Sequence, residues 1–143
     1  MLTYFQEPVY ELALSGGTLY FYVTYIAYIY QSSVWMTYNS LCLALSSIWF
    51  HSTKSPASYW TDQIVLNSWV VGFVYEAYVR HWFAVCFVLL GILYAVLMFY
   101  AGQADRTYAY HPSRFWSVFF HMTVHISSAL FAIIIITFFP PPK

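Results

Sequence analysis

The sequence predicts an all-α integral membrane protein, a single domain built as a bundle of about five transmembrane helices. Three observations predict it. Of 143 residues, 62% are hydrophobic and only 7% are charged, against about 25% charged in soluble domains. Mean hydropathy is +0.63. The apolar residues also fall into five runs, each near the ~20 residues needed to cross about 30 Å of hydrocarbon. Net charge is zero and there is no basic stripe, which argues against nucleic acid as a partner.

The first span is expected at about 12–30, after the polar, proline-containing "YFQEPVYEL". That segment carries Glu7 and Glu11 and lacks the basic stretch of a cleavable signal, so the span is expected to stay as its own insertion signal. The second covers about 34–51 and is broken by "STKSPAS", because Pro56 lacks a donor and disfavours helix in the residue before it. The third covers about 61–79 and ends at Arg80 and His81. The fourth, about 82–101, follows with almost no linker and leads into the polar "GQADRTYAYHPSR". The fifth, about 115–139, is stopped by "PPPK". Cys42 and Cys86 lie within apolar runs and read as small buried hydrophobes. There is no internal repeat. Tyr, Phe and Trp number 15, 13 and 6, more than interfacial belts alone require.

Five spans fix the sidedness. If the N-terminus lies on side A, the end of span two, the start of span three, the end of span four and the start of span five all lie there too. Lys54, Arg106 and Arg114 then fall on side A, and Arg80 and Lys143 on side B. The balance favours side A as cytoplasmic.

Ionisable groups within spans are costly and point to function. Ser47 and His51 share one face of span two. Asp62 lies in the first turn of span three. His121 and His125, in "HMTVH", lie one turn apart in span five. All five converge toward side A. An i, i+4 histidine pair presents two imidazoles to one ion, and a third histidine from another helix completes three protein ligands. Three ligands leave one position open, the arrangement of catalytic rather than structural zinc. Zinc acidifies water to near neutral pH, Asp62 is placed to take and return a proton, and Ser47 can donate to an oxyanion.

Each residue alone has a plainer reading. Histidines bond between helices, and a serine is a small packing residue. Asp62 suits a helix N-terminus. Haem, held by two facing histidines, is a weaker fit, since one histidine is left over and Ser47 and Asp62 have no role. His81 and His111 sit at span edges, Lys54 reads as a charge at the boundary of its span, and Glu76 lies toward side B with Arg80 one turn on.

Ser47, His51, Asp62 and "HMTVH", with the string "SSIWFHSTKSPASYWTDQ", resemble the CREST superfamily of membrane hydrolases. That group includes alkaline ceramidases, Per1-type lipid-remodelling proteins and the adiponectin and progestin receptors, and the likeness is greatest to the ceramidase branch. The resemblance implies Zn2+ held by His51, His121 and His125, with catalytic roles for Asp62 at the reacting water and Ser47 at the oxyanion. It implies hydrolysis of a lipid amide or related acyl bond, with membrane lipids as substrate. Family members are usually in the ER or Golgi. The chain departs from the family in having about five spans rather than seven. Ceramidases also carry an acidic calcium-binding segment before the first span, where "YFQEPVYEL" offers only Glu7 and Glu11, so calcium is not carried over.

Two other readings stay open. A shortened member could be a non-enzymatic accessory subunit of a larger membrane complex, such as a respiratory one in the mitochondrial inner membrane, with a structural or vestigial metal site. Such a thin bundle also suits association with other membrane subunits or a homo-oligomer. A lipid sensor is the third class.

Overall fold

The computed structural model describes residues 8–140, so the expectations placed on Glu7 and Lys143 lie outside the described residues. Among the described residues all regular structure is helical. Five long helices follow one another: α1 (Tyr10–Ile29), α2 (Val34–Thr53), α3 (Pro56–Arg80), α4 (Trp82–Asp105) and α5 (Arg114–Phe138). By length and composition, α1, α4 and α5 are apolar enough to cross a membrane. Helices α2 and α3 match them in length but carry more polar groups, which lowers their hydropathy. Those groups are largely turned inward: Ser40, Ser46, Ser47 and His51 of α2, and Asp62, Glu76 and Arg80 of α3, are buried.

The helix ends follow local chemistry. Lys54 adopts a left-handed conformation, φ 52°, and its N–H bonds Phe50 O at 2.8 Å, ending α2. Ser55 then caps α3. Its hydroxyl accepts from Ser58 N, and the Ser58 hydroxyl accepts from Ser55 N, both at 3.1 Å. Pro56 takes the first helical position, where its missing donor costs nothing. Helix α3 therefore starts five residues earlier than the expected 61, and the proline begins a helix as well as breaking one. Asp62 consequently lies in its second turn. A single extended residue, His81, both ends α3 and caps α4, where its Nδ1 accepts from Phe83 N at 3.2 Å. Helix α4 passes through a π-helical turn at Leu97–Ala101 and continues to Asp105, so the expected polar loop is partly helical. A 3₁₀ turn, Tyr108–Tyr110, leads to α5.

Neighbouring helices form a closed ring in the order α1, α2, α3, α4, α5 and back to α1. The alternation of direction expected from the sequence is visible in the contacts. Val9 N donates to His51 O at 2.9 Å, and Arg114 meets Glu11 at 3.2 Å, so the start of α1, the end of α2 and the start of α5 share one end. This is side A. The core toward side B is built from small residues that let helices approach closely, among them the fully buried Ala27, Ala77, Ala129 and Ala132. Tyr20 and Trp69 pack edge to face at 5.6 Å within it. Their polar atoms are satisfied by Ser128 at 2.6 Å and Ser40 at 3.0 Å.

Cys42 and Cys86 correct the sequence reading, because both are exposed on the outer surface. When the outside of a bundle is as apolar as its inside, an apolar run does not reveal which way a residue points.

The expected pairing of Glu76 and Arg80 is present, and it closes side B. Arg80 binds Glu76 Oε1 at 2.7 Å and 2.9 Å, donates to Phe139 O at 2.7 Å and Ile136 O at 3.2 Å, and reaches Ser32 Oγ at 2.9 Å. It thereby satisfies carbonyls left open by the end of α5. Replacing Arg80 by Ala leaves the buried Glu76 without its counter-charge. The expected loss is about 3–5 kcal/mol of stability, measured by unfolding in detergent. The double variant Glu76→Gln/Arg80→Met should lose less than Arg80→Ala does.

Candidate metal centre

Three helices bring the site together at side A. His51 lies in the last turn of α2, and His121 and His125 lie one turn apart on α5. All three are buried. The centroid of His121 is 4.9 Å from that of His125 and 5.0 Å from that of His51, and His51 is 5.6 Å from His125. One ring nitrogen of each lies within 4.8 Å of the others, so the group can hold a metal ion. Nitrogens about 2.0–2.1 Å from one zinc are roughly 3.4 Å apart, a closure that ring rotation can provide. The donor set suits zinc or another imidazole-binding transition metal. Rings packed edge to face at this spacing leave no slot for a haem macrocycle between them.

Helix α1 makes the approach possible. A Cβ built on Gly16 would fall 2.3 Å from Ser47 Oγ and 3.2 Å from His125 Nδ1. Only a glycine lets α1 sit between the serine of α2 and the histidine of α5. Ser47 is thus buried against Gly16, beside the His125 ring. One residue earlier, Ser15 Oγ lies 3.3 Å from His125 Nδ1, a contact of the kind that orients a ligating imidazole.

Asp62 is buried and joined to α2 through Ser46, whose hydroxyl donates to Asp62 Oδ1 at 2.9 Å. Lys54 Nζ lies 2.9 Å from His51 Nδ1 and 4.3 Å from the centre of the Phe50 ring. Burial pushes the Lys54 amine down to about 8, and the negative charge of Asp62 acts in the opposite direction. Phe99, carried by the π-helical turn, packs edge-on to His121 at 4.9 Å. π-Turns of this kind recur at functional sites.

The sequence named His51, His121, His125, Ser47 and Asp62, and all five are buried at this end of the bundle. Ser15, Gly16, Ser46, Lys54 and Phe99 were not singled out for it. Lys54 is more than a boundary charge, because its amine lies against the His51 ring. The sequence did carry a signal for α1, since "SGG" stands alone among bulky residues and small residues mark close helix contacts. It carried a partial one for Ser46, as half of a serine pair. Nothing in the sequence announced Phe99.

Comparison with protein-family models, with curated proteins and with solved structures finds no match to the chain. Function is therefore argued from the site.

Two substitutions test how the site is held. Gly16→Ala forces a methyl group onto Ser47 and should cost about 1–3 kcal/mol by overpacking. Ser46→Ala removes the donor to a buried carboxylate and should cost about 1–3 kcal/mol. Unfolding midpoints in detergent measure both, with the exposed Thr18→Ala as a control that should be near neutral.

Proposed function

We propose that the chain crosses the membrane five times and is a zinc-dependent hydrolase of a lipid amide or acyl bond, of the ceramidase type that its sequence resembles. The observation that carries this reading is the buried group of three imidazoles at one end of the bundle. Spanning by α2 and α3 is supported by two features. Their polar groups are largely directed inward, and exposed aromatics gather at both ends of the bundle. Tyr10, Trp49, Trp60 and Trp116 lie toward side A, and Tyr28, Trp35, Tyr78 and Trp82 toward side B. Two such belts are what a bilayer's interfaces select.

In this reading His51, His121 and His125 hold the metal. Bound there, zinc would supply Lewis acidity toward water and a carbonyl oxygen. Asp62 would serve as general base and acid, taking a proton from the attacking water and returning it to the leaving amine or alcohol. Ser46 keeps the Asp62 carboxylate in one orientation. Ser47, across Gly16 from His125, donates a hydrogen bond to the oxygen on which charge develops. Apolar helix faces around the site exclude bulk water, which strengthens each of these interactions.

A second reading is favoured by one observation. The ligands come from α2 and α5, two helices that both pack on α1, so an ion there would staple the bundle and support folding directly. That is the behaviour of a non-enzymatic accessory subunit.

Purified protein should contain one zinc per chain, and His51→Ala, His121→Ala and His125→Ala should each lose most of it in metal analysis. Asp62→Asn should retain zinc and lose at least about a hundredfold in turnover of labelled ceramide or phospholipid, the range expected of a missing general base. Zinc with no turnover from either wild type or Asp62→Asn would favour the structural role. Folded protein that takes up no zinc would sink both readings.

A further inference from the structure

From the outer surface of the bundle we infer that the groove between α1 and α5 is a docking site for a membrane lipid with a zwitterionic phosphate headgroup, leading to the histidine cluster. This rests on the reading of His125 as part of the reactive site. The groove holds about 400 Å³ and is lined by Glu11 of α1 and by Arg114, Phe115, Val118, Phe119 and Met122 of α5. Its size falls within the range of ligand sites, about 300–1,000 Å³.

Three features select the occupant. At the mouth, Arg114 Nη2 contacts both oxygens of Glu11 at 3.2 Å, with both side chains more than half exposed. An exposed pair of this kind holds itself together weakly. A phosphate can take the guanidinium in two-point contact while an ammonium takes the carboxylate, so a zwitterion satisfies both at once. An anionic headgroup meets repulsion from Glu11, and an uncharged one gains nothing from parting the pair. Below the mouth the lining is apolar and suits an acyl chain.

The direction of the groove completes the case. Phe115, Val118, Met122 and His125 follow one another along a single face of α5. On α1, Ser15 lies one turn below Glu11 on the same face, and its hydroxyl is 3.3 Å from His125 Nδ1. At 1.5 Å per residue, that contact lies roughly 6 Å below Glu11 along α1, and the long Arg114 side chain reaches down from the start of α5 to the level of Glu11. This is the depth of the acyl linkages and upper chains beneath a headgroup.

The test uses the full chain in phosphatidylcholine nanodiscs doped with phosphatidylcholine bearing a diazirine in one acyl chain. After illumination, labelled peptides are mapped by mass spectrometry and zinc is measured in the same samples. Labelling should concentrate on residues 11–15 and 114–125. Arg114→Gln should lower it about two- to fivefold, the size set by one exposed charged contact, and Val118→Trp, which fills the groove, should remove most of it. Labelling spread evenly over the outward helix faces, or unchanged in both variants, overturns the site. Equal labelling of these peptides by diazirine-bearing phosphatidylglycerol or ceramide overturns the headgroup class. Zinc present without groove labelling sinks the groove alone. Groove labelling in protein that binds no zinc sinks the hydrolase reading and leaves the groove standing.

Discussion

The polar end of this bundle depends on the close approach of three helices at Gly16. With no side chain there, α1 fits between Ser47 of α2 and His125 of α5, and the distance between those helices is set by backbone rather than by side-chain bulk. The remaining contacts follow from that spacing. His51 reaches the two histidines of α5, Ser15 reaches His125, and the start of α1 meets the end of α2 through the Val9–His51 backbone bond. A larger residue at Gly16 would press first on the Ser47 hydroxyl and then on the His125 ring.

The two ends of the molecule handle buried polarity differently. At side B, Arg80 and Glu76 neutralise each other, and the remaining guanidinium hydrogens are used on carbonyls and on Ser32. All five guanidinium hydrogens of Arg80 find partners within the chain. At side A, three imidazoles face one another with no carboxylate bonded directly to any of them among the described contacts. Asp62 is instead held by Ser46. The three imidazoles place one nitrogen each within 4.8 Å of the others, a donor set that could hold a metal ion. The contrast is between a charged pair that satisfies itself and a histidine group that could hold an ion.

Much of this was legible in the sequence, for identifiable reasons. The number and order of helices followed from lengths of apolar sequence, and the convergence of His51, Asp62, His121 and His125 followed from counting spans. Where the sequence reading fell short, the missing information was directional. Cys42 and Cys86 sit in apolar runs yet face outward, because apolarity does not distinguish inside from outside in such a bundle. The start of α3 was misjudged because Pro56 was weighed as a breaker, and the serine pair that makes it a helix start was not. Lys54 was underestimated because its place at the end of a span does not announce that its amine folds back onto the ring three residues before it. Ser47 was separable from Ser46 only by spacing, and the structure gives the two neighbours different partners.

The bond from Val9 N to His51 O has a mechanical meaning. It joins the first residues ahead of α1 to the main chain of the histidine contributed by α2. Because α1 starts directly from Val9, the bond pins that helix to α2 main chain to main chain, at the residue that carries the His51 imidazole.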